Sequence, residues 1–265
     1  MKPFGKKLGE GLSSQVYELS DDTSKVVKLF IEGYPQELIG LEARITEMVY
    51  EAGVPSPRNF GTVRLGSRTG IVFEKIVGTP LIRVLPYKVH LMNSYASLLA
   101  DIHAGIHRAN VSSLPTQKEL YKDWISATPY LTRSKRAKVL AIMEELPEGN
   151  KLCHNDLHPN NILITKSGPV VIDWTCARMG DPLADVAYSE MIIRMGDLSI
   201  APVGRLAVVL GRGIYSRLYR MHYINKYSGS KRLMKSWLPV LAAARLIYEY
   251  KSERPVLLDM LNKLI

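Results

Sequence analysis

The spacing of apolar positions changes along the chain, from short β-branched runs before about residue 80 to helical periods after it. The run KVVKLFI (25–31) predicts a central strand, and FGKKLGEGLSSQVYELS predicts a strand, a glycine-containing turn and a second strand before it. Between residues 35 and 52, Leu38, Leu41, Ile45, Met48 and Val49 fall at helical spacing. Gly53 and the following VPSPR end that helix. Two more strands are expected near 59–66 and 70–77, joined by the turn LGSRTG. After VGTP (77–80) the stretch YKVHLMNSYASLLADIHAGIHRA predicts a long amphipathic helix. Residues 116–146 predict further helices, broken at Pro129 and Pro147, and the chain beyond GDPLADVA reads as helical. A small hairpin, built from ILIT and VVIDW, interrupts the helical part. The pattern is that of an α+β chain, with a β-rich part at about 1–76 and a mostly helical part at about 77–265. No internal repeat or low-complexity segment is visible.

Composition narrows the picture. With 265 residues, 46% of them hydrophobic, the chain can bury a substantial core. It contains no run of about 18 apolar residues, so no membrane span is expected. The first residues carry charge without an apolar stretch, unlike a secretory signal. Cys153 and Cys176 show neither metal-ligand spacing nor a disulfide framework, which sets the expectation of a cytoplasmic protein. The net charge of +10 admits nucleic acid, an anionic membrane or an anionic small ligand as partner. The basic residues are scattered, however, and the densest clusters, TRSKRAK (132–138) and KRLMK (231–235), lack interleaved aromatics. Neither a nucleic-acid partner nor a membrane partner is therefore expected.

The polar stretch LCHNDLHPNNILI (152–164) carries the chemistry, with His154, Asp156, His158, Asn160 and Asn161 between apolar flanks. Four residues separate Asp156 from Asn161, and Asp173 follows Asn161 by twelve, at the end of an apolar strand. A hairpin pairing 162–165 with 170–173 would set Asn161 beside Asp173. Their oxygens suit Mg2+, which takes hard oxygen ligands together with phosphates. Asp156 would lie near enough to accept a proton from an incoming hydroxyl, completing the parts that phosphoryl transfer requires. Any one Asp or Asn is an ordinary turn or cap residue. The combination H-x-D-x-x-x-x-N, then β-branched residues, then Asp is far more specific.

Two upstream features fit the same chemistry. LGEGLSSQVYEL (8–19) places Gly9 and Gly11 between strands, where backbone N–H groups can approach phosphate oxygens. Ser14 stands where a kinase glycine loop has its third glycine, and no G-K-[ST] follows, so the loop is not a Walker A loop. By itself a hairpin with two glycines is usually only a hairpin. Lys28, in the predicted central strand, needs a partner if buried, either phosphate oxygens or a carboxylate. Glu42 on the following helix is the chosen carboxylate, with Glu37 and Glu47 as alternatives.

The order glycine loop, Lys, helix Glu, H-x-D-x-x-x-x-N and Asp resembles the aminoglycoside phosphotransferase and choline kinase family. That family is the small-molecule branch of the protein-kinase-like fold, and the resemblance covers nearly the whole chain. It implies two lobes, a β-rich N-lobe at 1–76 and a helical C-lobe at 77–265. It implies ATP as donor, with GTP not excluded, and Mg2+ as metal. Carried over residue by residue, Asp156 is the catalytic base, and Asn161 and Asp173 hold Mg2+. Gly9, Gly11 and Ser14 form the phosphate loop, Lys28 meets the α- and β-phosphates, and Glu42 positions Lys28. Glu74 to Ile76 offer hinge backbone groups to the base, and His154 and Asp185 support the catalytic loop. Asp181 reads as the cap of a helix with Pro182 at its first position. Asp173 is followed by Trp174, and no A-P-E occurs before Asp185, so there is little room for a peptide platform. A small hydroxyl acceptor is expected instead.

Candidate acceptors are an aminoglycoside, choline or ethanolamine, or a sugar. A catalytically silent nucleotide-binding regulator is the alternative from another class. Beyond Val186 acidic residues are few (Glu190, Asp197, Glu249, Glu253, Asp259) and basic ones many, which leans against a polycation. Tyr215, Tyr219, Tyr223 and Tyr227 recur every four residues. They form either an aromatic cage for a quaternary ammonium or a packed helix face, and the packed face is preferred. Met191, Met195, Met221 and Met234 are expected to fill core or pocket space.

Overall fold

The structure, a computed structural model, describes residues 4–85, 89–111, 114–196, 205–227 and 229–265. The chain opens with β1 (Phe4–Glu10), β2 (Ser14–Leu19), β3 (Lys25–Phe30), α1 (Gln36–Glu51), β4 (Asn59–Leu65), β5 (Arg68–Glu74) and β6 (Thr79–Pro80). Next come α2 (Leu81–Val84), α3 (Met92–Arg108), α4 (Gln117–Ala127), α5 (Arg133–Glu144) and β7 (Lys151–Cys153). It continues with β8 (Ile162–Thr165), β9 (Gly168–Val171), β10 (Arg178–Gly180) and α6 (Pro182–Met195). The last helices are α7 (Arg205–Tyr227), α8 (Lys231–Arg245) and α9 (Arg254–Leu264). Two compact units result: Met1–Leu81 with Asn160–Cys176, and Ile82–Pro159 with Ala177–Ile265. The first unit thus runs five residues past residue 76 and takes in the later hairpin.

The first unit is built on an antiparallel five-stranded sheet in the order β1-β2-β3-β5-β4. β3 is its middle strand and buries Val26, Val27, Leu29 and Phe30, as a β-branched apolar run in a central position should. Helix α1 covers this sheet, and Phe30, Ile39, Ala43 and Ile71 form a core cluster against which Tyr34 and Phe73 pack. Gly53 ends the helical segment with φ +77°. The buried face of α1 differs from the expected stripe: it comprises Ile39, Glu42, Ala43, Ile45, Thr46 and Val49. Leu38 is exposed, and Leu41 and Met48 are only half-buried. Ile39, Ala43, Ile45 and Val49 form this face at helical spacing, and Glu42 lies on it facing Lys28.

The return hairpin β8–β9 joins β6 in a second sheet of the same unit, in the order β6-β8-β9. At Gly78, just before β6, a Cβ would lie 3.0 Å from the Ile164 carbonyl and 3.1 Å from Leu163, so a side chain there would crowd β8. The observed pairing matches 162–165 with 168–171, not with 170–173. Asp173 lies beyond the ladder because its φ of +66° is left-handed and cannot extend a strand.

The second unit is helical apart from the two-stranded β7–β10 pair, which was not expected because each strand is three residues long. Helix α3 begins at Met92, and the expected helix start at Tyr87 and Lys88 lies outside the described residues. Thr116 and Glu119 form a capping box on α4. Asp181 caps α6 by accepting the Leu183 N–H at 2.9 Å, with Pro182 in the first turn. Helix α7 packs on α3 with Tyr215, Tyr219 and Tyr223 buried. The tyrosine stripe is therefore a packed face. Met191 and Met234 are buried, but Met221 is 41% exposed and fills no core space.

Candidate active site

In the first unit the central side chain is Lys28. Its Nζ lies 2.7 Å from Glu42 Oε1, 2.9 Å from Asp173 Oδ1 and 3.2 Å from the Thr175 hydroxyl. Glu42 is buried to 2% exposure, and burial pushes its pKa above the usual carboxylate range against the pull of Lys28. Burial alone would push the Lys28 pKa down, but the charges of Asp173 and Glu42 outweigh it and hold it above the ordinary lysine range. Lys28 is thus a fixed cation. Glu37 is exposed and Glu47 only half-buried, and neither is the partner.

Asp173 and Asn161 belong to the same hairpin. The Ile172 N–H donates to the Asn161 carbonyl at 2.9 Å, which brings the two ends of β8–β9 together next to Asp173. The Asp173 side chain is 42% exposed, although its Oδ1 also accepts from Lys28. A carboxylate and an amide, both oxygen donors, fit a hard divalent cation, and neither position brings a sulfur or nitrogen ligand. Trp174, directly after Asp173, is buried and donates its indole N–H to the Val171 carbonyl at 3.3 Å. Thr175 was not anticipated from the sequence. Its hydroxyl lies 2.7 Å from Asp173 Oδ1 and 2.8 Å from Glu42 Oε2, tying the three charged residues into one cluster.

Only residues 11–13 join β1 to β2: Gly9 lies within β1 opposite Val16 and Ser14 opens β2, so of the three expected loop residues Gly11 alone stands between the strands. The Gly11 N–H donates to the Ser14 carbonyl at 2.9 Å, and Ser14 is buried. A Cβ on Gly9 would meet nothing within 4 Å, so the protein's own packing does not require a glycine there. At the end of β5, Glu74 donates its N–H to the Arg58 carbonyl at 2.9 Å, and Lys75 donates to the Ser24 carbonyl at 2.8 Å. Ile76 follows directly.

In the second unit Asp156 follows two residues whose backbone is pinned. The Asp185 carboxylate, fully buried, accepts the His154 N–H at 2.6 Å on Oδ2 and the Asn155 N–H at 2.8 Å on Oδ1. Its Oδ2 also lies 2.9 Å from His103 Nε2 and 3.3 Å from His107 Nε2. Burial pushes the Asp185 pKa up, but the two histidines outweigh that and hold it below the usual carboxylate range. Asn155 is held left-handed at φ +57°, a conformation asparagine tolerates better than most residues. Its Oδ1 accepts from Gln117 Nε2 at 2.6 Å and from the Tyr121 hydroxyl at 2.9 Å. The Asp156 N–H donates to His154 Nδ1 at 3.2 Å, and His158 Nε2 stands 3.8 Å from Asp156 Oδ2. The loop that carries Asp156 is therefore anchored on its N-terminal side. Gln117, Tyr121, His103 and His107 were missed in the sequence; His103 and His107, four apart on a predicted helix, were the available signal.

Residues 5–218 match the phosphotransferase enzyme family (APH), and the chain belongs to that family. No curated protein matches it significantly in sequence. Among solved structures it is similar to the amicoumacin kinase hAmiN in complex with AMP-PNP, Ca2+ and Ami. That match has a TM-score of 0.66 and 11% identity, over 98% of this chain and 87% of that one. It is also similar to aminoglycoside phosphotransferase APH(3'')-Id from Streptomyces rimosus ATCC10970, with a TM-score of 0.62 and 17% identity, over 90% and 92% of the two chains. ADP-bound aminoglycoside phosphotransferase APH(2'')-Ib matches with a TM-score of 0.60 and 14% identity, over 99% and 93%. The fold is accordingly the α+β, protein-kinase-like one, with a β-rich N-terminal sheet and a helical C-terminal part.

Proposed function

We propose that the protein transfers the γ-phosphate of ATP to a hydroxyl of a small molecule. The observation that carries this reading is the Lys28–Glu42–Asp173 cluster, in a chain of the phosphotransferase family. A lysine kept charged and backed by two carboxylates is suited to meet the α- and β-phosphates of a nucleotide. Asn161 and Asp173 would hold Mg2+, which, when bound, neutralises developing phosphate charge. Gly9, Gly11 and Ser14 would leave space for phosphate oxygens, and Glu74 and Ile76 would present backbone groups to the base. Asp156, on its pinned loop, would accept or orient the acceptor's hydroxyl proton. The complexes of the amicoumacin kinase with AMP-PNP and of APH(2'')-Ib with ADP support an adenine nucleotide as donor.

The test is ADP release from Mg·ATP across a panel of hydroxyl acceptors, with the D156N variant and an EDTA control alongside. Turnover on one acceptor class is expected, abolished by EDTA. D156N should lower it by roughly 10²–10⁴-fold while nucleotide affinity is kept. No turnover and no nucleotide binding by the wild type would overturn the reading.

A further inference from the structure

The two imidazoles beside Asp185 are each engaged at a second nitrogen. His103 Nδ1 lies 2.5 Å from the Tyr219 hydroxyl, and His107 Nδ1 lies 2.7 Å from the Tyr223 hydroxyl. All four side chains are buried, and the two rings lie with centroids 4.3 Å apart, tilted by 38° to one another. The spacing of His103, His107 and Asp185 would suit a metal ion. Both nitrogens of His107 and the Nδ1 of His103 are hydrogen-bonded within the protein, while His103 Nε2 faces the Asp185 carboxylate at 2.9 Å as a charge contact without hydrogen-bond alignment. The ionised Asp185 carboxylate only accepts, so each Nε2 carries a proton toward it. Two chains of the form hydroxyl–imidazole–carboxylate therefore run from α7 through α3 and converge on one residue. That residue holds the backbone N–H groups of His154 and Asn155, next to Asp156.

We propose that Tyr219 and Tyr223 are positioning residues for phosphoryl transfer, acting through His103 and His107 to fix Asp185 and the loop bearing Asp156. This rests on the reading of Asp156 as the base. Neither tyrosine needs to touch a substrate. Each deprives its imidazole of rotational freedom, and the imidazole in turn fixes where the Asp185 oxygens sit. A carboxylate that accepts three N–H hydrogen bonds and faces the His103 ring has one orientation, whereas one whose imidazoles are free to turn can rock and take the loop with it. Small displacements of a catalytic group cost rate more than binding.

Tyr215 supplies an internal control. It lies on the same stripe, is equally buried, and donates its hydroxyl to the Tyr95 carbonyl at 3.3 Å, outside the network. The experiment compares Y219F/Y223F, Y215F, H107Q and H107L with the wild type. It reads kcat, KM for ATP and hydrogen exchange of the 154 and 155 amides. Y219F/Y223F is expected to lose about tenfold to a hundredfold in kcat, with KM for ATP held within about twofold and faster exchange at 154 and 155. Y215F should stay within about twofold of wild type in all three. H107Q, which keeps an N–H near the Nε2 position, should retain more kcat than H107L. Unchanged kcat in Y219F/Y223F, or an equal loss in Y215F, would overturn the proposal. If the wild type turns over no acceptor, the phosphoryl-transfer reading is what fails. Exchange at 154 and 155 in Y219F/Y223F against Y215F then decides the network separately.

Discussion

At the scale of single residues, the decisive fact is a cation that cannot be left alone. Lys28 is 12% exposed and Glu42 2%; Lys28 is the counter-charge that buried Glu42 faces, and Lys28 itself is held by Asp173 and Glu42 together. Lys28→Met should therefore destabilise the protein by about 3 kcal/mol, since Glu42 would be left buried without a counter-charge. Lys28→Met with Glu42→Leu should recover much of that loss. Denaturant unfolding of the two single variants and the double variant checks it, and purely additive losses would refute the coupling. The pairing was legible in the sequence because the cost of an unpaired buried lysine requires a partner, and Glu42 lay on the next helix. Thr175 was not legible, because a threonine two residues beyond an aspartate has no meaning until the left-handed turn at Asp173 brings its hydroxyl back to the cluster.

Among the elements, the α3–α7 contact shows where periodicity stops informing. Four tyrosines at i, i+4 spacing define a stripe, but packed face and ligand cage share that spacing. Only the partners separate them: a carbonyl for Tyr215, imidazoles for Tyr219 and Tyr223, and Asp101 for Tyr227. The same contact makes stability depend on pH. Burial, followed by the charge of His103, pushes the His107 pKa down to about 4, against the pull of Asp185. The unfolded chain therefore binds a proton that the folded chain refuses between about pH 6.5 and 4. Stability is full above that window and falls as pH drops through it, by up to about 1.4 kcal/mol per pH unit. Melting temperatures at pH 7, 5.5 and 4.5 should decline for the wild type and decline less for H107Q. A flat wild-type profile would contradict the assignment. The helix α1 and the five-stranded sheet were readable from apolar spacing. The rotated face of α1 was not, because Ile39 and Ala43 as well as Leu38 and Leu41 are apolar, so two neighbouring stripes fit the same helical spacing.

Over the whole molecule, charge carries information about the acceptor. The net charge is +10, and among the described residues the few acidic side chains of the C-terminal region are already engaged. Glu190 pairs with Arg220 at 2.5 Å, Glu253 with Arg245 at 2.8 Å and Asp259 with Lys263 at 2.6 Å. Glu249 accepts from the Tyr130 hydroxyl at 3.3 Å, and Asp197 lies outside the described residues. Neutral or anionic hydroxyl compounds should therefore exceed polycationic aminoglycosides in kcat/KM. A preference for the polycation in the acceptor panel would refute this. The division of the chain has a further consequence, for synthesis. The first unit is written in two instalments, closing its opening stretch at Leu81 and receiving its remainder only at Cys176. A nascent chain translated at roughly 5–20 residues per second thus spends several seconds with Lys28 and Glu42 already made but Asp173 still untranslated. During that interval β6 has no β8 to pair with, although all five strands of the first sheet are already made.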